Sequence, residues 1–169
     1  MSESVKEHKA AAPSALGLAI VTVSDSRNLE TDSSGKLIAE MASQAGHQIQ
    51  WRMIIHDEPV QIRKAVDRAS ADSNVQAVIF TGGTGISPRD QTVETLEKCF
   101  TRRIPGFGEL FRMLSYQEIG SATILSRSTA GLINHLVVAL LPGSRAAVRL
   151  AMEKILIPEL GHLVREANK

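Results

Sequence analysis

The sequence predicts an α/β fold, a three-layer α/β/α sandwich around a mostly parallel central sheet. Two observations carry this. Apolar runs at 16–23, 48–55, 77–80 and 136–141 alternate with stretches of helical periodicity, and such alternation implies right-handed βαβ crossovers. The runs at 77–80 and 136–141 are continuously apolar, as strands covered on both faces of a parallel sheet must be. A chain of 169 residues with 43% hydrophobic and 4% aromatic content suits one domain with an aliphatic core. Residues 1–14 read as a mobile N-terminal tail and 15–169 as a single domain.

The first strand, 16–23, ends at Ser24-Asp25-Ser26-Arg27, and a polar loop leads to a helix over 33–45. Leu37, Ile38 and Met41 share one face of that helix, and Gly46 stands where a left-handed C-terminal cap belongs. The second strand, 48–55, alternates more than the first, which places it nearer a sheet edge. It exits at His56-Asp57-Glu58. Pro59 then opens a helix over 59–71, with Ile62, Ala65, Val66 and Ala69 at helical spacing. The third strand runs into a glycine-rich loop, followed by helices at 92–100 and about 107–116. Residues 125–134 give no clear periodicity. A buried strand at 136–141 exits through Pro142-Gly143-Ser144 into a helix carrying Val148, Leu150 and Met152, and Pro158 interrupts the helical stretch that ends near Asn168.

Composition excludes several classes of function. A net charge of +1 gives no general attraction to nucleic acid, so any anion must be held by a local site. One cysteine, Cys99, rules out an internal disulfide framework and fits a buried small apolar helix residue in a reducing compartment. Residues 1–14 lack an apolar signal core and 16–23 is too short to span a bilayer, so a cytoplasmic location is expected, with no membrane partner. The five histidines, His8, His47, His56, His135 and His162, fall at no metal-ligand spacing, and only His56 adjoins a candidate site residue.

The stretch Ala77-Val78-Ile79-Phe80-Thr81-Gly82-Gly83-Thr84-Gly85-Ile86-Ser87-Pro88-Arg89-Asp90 is the strongest functional signal. Glycines at a strand exit permit positive φ and let backbone N–H groups approach an anion, while Asp90 or Thr92 is available to cap the following helix. An ordinary tight turn is the alternative. The loop lacks G-x-x-x-x-G-K-[ST], and G-x-G-x-x-G fails because Pro88 replaces the third glycine. In a parallel sheet the exits at Ser24-Asp25, Asp57, 82–90 and Pro142-Gly143-Ser144 would line one rim. Asp57 and Asp90 would face bound phosphates unfavourably unless Mg²⁺ lies between them, which makes the pair a candidate metal and nucleotide site. Capping of the helix that each precedes is the competing use. Arg102, Arg103 and Arg112 bracket Gly106-Phe107-Gly108-Glu109, and Arg89 and Arg112 are candidate anion contacts.

These motifs resemble the MoaB/MogA group of molybdenum cofactor biosynthesis proteins. The resemblance rests on Thr22-Val23-Ser24-Asp25, Asp32-x-Ser34-Gly35, Ala45-Gly46-His47, Asp57-Glu58, the loop from Thr81 to Asp90, Pro105 to Glu109, Leu125-Ser126-Arg127 and Leu141-Pro142-Gly143-Ser144. It implies a molybdopterin ligand, adenylylation of its terminal phosphate by ATP with Mg²⁺, and release of pyrophosphate. It further implies Asp57 and Asp90 as catalytic carboxylates, with Ser24, Asp25, Gly82, Gly83, Thr84, Gly85, Pro142, Gly143 and Ser144 as substrate binders. A short strand near Gly131, a homotrimer or hexamer, and hand-over to a separate molybdate-inserting protein complete the expectation. After Arg89-Asp90, however, the chain reads Gln91-Thr92-Val93 where many adenylylating members read Val-Thr-Pro, and this leans towards the MoaB branch. A non-catalytic carrier in the same pathway is the alternative, as is an unrelated phosphate-binding module.

Overall fold

The computed structural model describes residues 12–169. Six strands form one sheet in the order β2-β1-β3-β6-β5-β4. They are β1 Gly17–Val23, β2 Gln48–Ile55, β3 Ala77–Thr81, β4 Arg102–Arg103, β5 Thr129–Ile133 and β6 Leu136–Leu141. The helices are α1 Ser33–Gln44, α2 Pro59–Ala71, α3 Thr92–Cys99, α4 Pro105–Ile119, α5 Arg145–Ala151 and α6 Ile157–Ala167. The tail expected over 1–14 falls mainly outside the described residues, but Ala12 and Pro13 lie against Gly161 of α6, where a Cβ would sit 2.5 Å from the Pro13 carbonyl.

The strands β2, β1, β3 and β6 are mutually parallel, with Val23 beside Ile55, Thr22 beside Thr81, and Thr81 beside Leu141. Their carboxyl ends therefore lie on one rim. Every residue of β1, β3 and β6 is buried, whereas β2 is exposed or half-buried up to Ile54 and forms an edge, the position its sequence pattern predicts. One face of the sheet packs Ile20, Ile79 and Ala139 against Ile38 of α1, Phe111 of α4, Val148 of α5 and Leu160 of α6. The other packs Val21, Val78 and Leu140 against Ile62 and Val66 of α2 and Leu96 of α3. These are the three expected layers.

The stretch without periodicity, 125–134, begins at the end of a 3-10 helix, Gly120–Leu125, and holds the antiparallel strand β5. A tight turn at Asn134, whose φ is 55°, joins β5 to β6. Asn tolerates that left-handed conformation, so the hairpin has a sequence signal after all. The two-residue strand β4 was not foreseen; it pairs with β5 at Arg102–Leu132 and Arg103–Gly131. Helix α4 starts earlier than its apolar pattern suggests because Pro105, with no N–H to satisfy, occupies the first helical position. Pro158 does not break the C-terminal helix. Instead Met152–Leu156 widens into a π turn, in which the Ile157 N–H reaches back to the Met152 carbonyl, and the wider turn accommodates a ring that cannot donate.

Candidate functional site

The chain leaves β1 for β2 on one side and later places β3 on the other, so the order of the sheet reverses at β1. Ligands in open α/β sheets bind at such a switch point, outside the carboxyl ends of the strands. A cavity of 120 Å³ opens there, lined by Thr22, Val23, Ser24, Arg27, Asp32, Ser34, Thr81, Gly82 and Gly143.

The glycine loop is shaped by close approaches. Gly82 has φ 103°, and a Cβ on it would lie 2.3 Å from the Val23 carbonyl of the neighbouring strand. Gly83 has φ 65°, and its Cβ would meet Thr92 Oγ1 at 2.2 Å and Asp57 Oδ2 at 2.6 Å. Only glycine combines that conformation with that proximity. The rim is stitched across strands: Thr81 Oγ1 donates to the Pro142 carbonyl at 2.9 Å, the Gly82 N–H to the Leu141 carbonyl at 3.0 Å, and Ser34 Oγ to the Gly143 carbonyl at 2.8 Å.

Asp57 is 6% exposed. Its Oδ1 accepts from the Gln91 N–H at 3.1 Å and from Thr92 Oγ1 at 2.9 Å. Among the described residues its Oδ2 has no hydrogen-bond partner. Burial pushes the carboxyl above its ordinary value, only partly offset by the Thr92 and Gln91 hydrogen bonds, and the nearby Asp90 adds to the rise. The capping alternative thus takes a different form from the one expected. Asp57 does not cap α2, whose N-cap position is Glu58 with no side-chain bond; it reaches across to the start of α3.

Asp90 does not cap α3 either. Gln91 occupies that position without a side-chain bond, and Thr92 is already inside the helix. Asp90 Oδ2 instead accepts from the Ser87 N–H at 3.0 Å and lies where a Cβ on Gly85 would come within 2.6 Å. The reason is geometric. The turn from Ser87 to Asp90, closed by the Asp90 N–H to the Ser87 carbonyl at 2.9 Å, points this side chain back into the loop.

The other predicted residues divide. Arg89 is engaged by protein groups: its guanidinium bonds Asp25 at 2.9 Å, Glu58 at 2.9 Å and the Asp57 carbonyl at 2.9 Å. Asp25 also accepts from His56 Nδ1 at 3.0 Å, and hydrogen bonds from His56 and then Arg89 hold its carboxyl below the ordinary value. Ser24 Oγ accepts from the Ser26 and Arg27 N–H groups, so it shapes the β1 exit. Ser144 caps α5, accepting from the Ala147 N–H at 3.3 Å, while Pro142 and Gly143 carry the stitching carbonyls already described. Arg112 lies elsewhere. It donates to the Ser128 carbonyl at 3.3 Å and lines, with Arg103, a separate cavity of 380 Å³ beside Gly108 and Glu109. Arg103 pairs with Glu97. Cys99 Sγ donates to the Thr95 carbonyl, and burial raises its thiol, as suits a structural cysteine.

Two groups at the site were not singled out from the sequence as site residues. Asp32, 2% exposed, caps α1 through the Gly35 N–H, accepts from Thr22 Oγ1 at 2.9 Å and pairs with Arg52 of β2 at 3.0 Å. Arg127 reaches over the loop to the Thr84, Gly85 and Asp90 carbonyls and to Glu94. Both sit in motifs that carry the resemblance, but their partners are remote in sequence. Among the described residues no group of three His, Cys, Asp or Glu side chains is placed to hold a metal, so Asp57 and Asp90 stand as a pair. Nor is any helix there long and apolar enough to cross a membrane.

Residues 19–162 match the family described as "Probable molybdopterin binding domain". The chain is 50% identical over 167 residues to molybdenum cofactor biosynthesis protein B of Bacillus subtilis, covering 98% of each, and 42% identical over 151 residues to the Escherichia coli K12 protein of that name, covering 89% of each. A crystal structure of a molybdenum cofactor biosynthesis protein B superposes with TM-score 0.90 at 46% identity, over 93% of this chain and 98% of the other. The tungsten cofactor synthesizing protein MoaB from Pyrococcus furiosus does so with TM-score 0.85 at 36% identity, over 94% and 100%. The chain belongs to the MoaB/MogA family of molybdenum cofactor biosynthesis proteins.

Proposed function

We propose that this protein binds molybdopterin at the rim and transfers an adenylyl group to it from ATP. The observation that carries the reading is the buried, half-partnered carboxylate of Asp57 beside Gly83 and Asp90. Leaving a carboxylate oxygen buried without a partner destabilises the fold, so its retention points to a role with ligand bound. Binding an anionic pterin alone would not use two carboxylates, because like charges repel.

The residues fit Mg²⁺. Asp57 Oδ2 is a buried hard oxygen donor without a partner and Asp90 is a second carboxylate close enough to perturb it. When bound there, Mg²⁺ would supply positive charge against the phosphates. The chain's own part is positioning. Gly82, Gly83, Thr84 and Gly85 offer backbone donors and space for a phosphate. Asp57 is fixed by Gln91 and Thr92, so its free oxygen has one orientation. In the transfer, a terminal phosphate oxygen of molybdopterin attacks the α-phosphorus of ATP, the bond to the β-phosphate oxygen breaks, and pyrophosphate leaves. The adenylylated product would pass to a separate molybdate-inserting protein.

Incubating the protein with molybdopterin, ATP and Mg²⁺ and detecting adenylylated pterin by mass tests this. Binding without product would favour a carrier, the reading towards which Gln91-Thr92-Val93 leans. The exposed apolar residues of α4 further support a homotrimer or a hexamer.

A further inference from the structure

The glycine loop is not held by regular secondary structure between Thr84 and Asp90. On one side Arg89 ties it to the exits of β1 and β2 through Asp25, Glu58 and the Asp57 carbonyl. On the other side a single side chain does the equivalent work. Arg127 Nε donates to the Thr84 carbonyl at 3.4 Å, Nη2 to the Gly85 carbonyl and to the Asp90 carbonyl at 3.3 Å, and Nη1 pairs with Glu94 in the first turn of α3. One guanidinium thus joins both ends of the loop's neck and fastens them to the helix that follows. Its own base is firm. Arg127 lies two residues before β5, Ser128 is 3% exposed with its carbonyl bonded by Arg112, and Thr129 is registered against Leu140 of β6.

We propose that Arg127 is a positioning residue of this site, closing the neck of the 84–90 loop so that Asp90 and the loop's backbone are held in place opposite Asp57. Among the described residues its guanidinium bonds three backbone carbonyls and Glu94 rather than Asp57 or the Asp90 carboxylate, so it acts through the loop. The planar fork matters. A lysine places one point charge and cannot satisfy three carbonyls and a carboxylate at once. The expected effect on turnover rests on the adenylylation reading; the effect on the loop does not.

The test compares wild type, Arg127→Lys and Arg127→Ala by amide hydrogen exchange over 83–90, thermal midpoint, molybdopterin affinity and rate of adenylylation. Both variants should exchange faster in the loop while the β1, β3 and β6 amides stay protected. Turnover should fall about 100-fold, the scale set by an ångström of misplacement, with a much smaller change in KM. Low concentrations of guanidinium ion should restore part of the activity of Arg127→Ala but not of Arg127→Lys. Unchanged loop exchange in folded Arg127→Ala overturns the proposal, as does a rate that falls only with the folded fraction. If wild type shows no turnover, the adenylylation reading fails alone. Loop exchange and molybdopterin affinity then decide: faster exchange with weakened binding supports the role of Arg127, and no change in either ends it.

Discussion

Asp57 and Asp90, alike in the sequence, differ in what surrounds them, and their substitutions should differ too. Burial raises the Asp57 carboxyl above 3.8, so its protonated form is the one the fold favours. Its stabilising contribution is complete below that value and is lost as pH rises through the higher folded pKa. Asp57→Asn keeps an acceptor for Gln91 and Thr92 and removes the charge. It should be no less stable than wild type at pH 7, should flatten the pH dependence of the thermal midpoint above about pH 4, and, if Asp57 holds Mg²⁺ as proposed, should not share the stabilisation expected of wild type on adding Mg²⁺. Calorimetry with and without Mg²⁺ checks this, and marked destabilisation of the variant at pH 7 would show that the charge is compensated. Asp90→Asn retains an acceptor for the Ser87 N–H and should keep its stability while activity collapses by about 100-fold or more. Asp90→Ala should in addition cost about 1 kcal/mol by leaving that N–H without its partner. Denaturation midpoints and turnover, measured together, separate the two roles.

At the scale of the element, the strand–loop–helix unit from β3 to α3 depends on Gly83 more heavily than a phosphate-binding turn alone requires. A side chain there would meet Thr92 Oγ1 and Asp57 Oδ2, and so displace the bond between Thr92 and Asp57 that anchors α3. A bulkier residue at Gly83 therefore disturbs the fold as well as the loop. Gly46, with φ 90°, is the natural control, because nothing lies within 4 Å of its missing Cβ. Gly46→Ala should cost about 1 kcal/mol in backbone strain, and Gly83→Ala roughly 2–4 kcal/mol because contact is added to strain. Equal losses in urea denaturation would mean that the loop yields without disturbing Asp57. The start of α1 follows the same logic in a different form: Asp32 caps the helix and also ties it to β1 and β2 through Thr22 and Arg52.

Across the whole molecule, the feature that a monomer does not explain is an apolar stripe. Leu110, Met113, Tyr116 and Ile119 recur every three residues along α4 and are exposed, Met113 by 56%, and Ile124 and Leu125 follow on the 3-10 helix. On the same helix Phe111 belongs to the core and Leu114 is partly buried against it, which leaves Leu110 and Met113 exposed. Light scattering should give a mass of three chains or six, and Met113→Asp should reduce it. A stable monomer at micromolar concentration would refute the assembly.

The layers, the buried strands and the position of the glycine loop are legible in the chain alone. Those features are local: strand burial is written in continuous apolar runs such as Ala77 to Phe80, helix faces in the spacing of Leu37, Ile38 and Met41, and a left-handed turn in Gly46. The same local reasoning puts Asp57 and Asp90 at strand exits, but it can offer as their competing use only a cap on the helix that each precedes, because a cap is ordinarily read from its neighbours. Only the tertiary structure decided that Asp57 serves α3 across the crevice, that Arg52 of the edge strand holds Asp32, and that Arg127, from beyond the 3-10 helix, grips the loop. Those partners lie between 20 and 43 residues apart along the chain. Their proximity is set by strand order, and strand order is fixed by how buried faces pack rather than by any spacing of residues in the sequence.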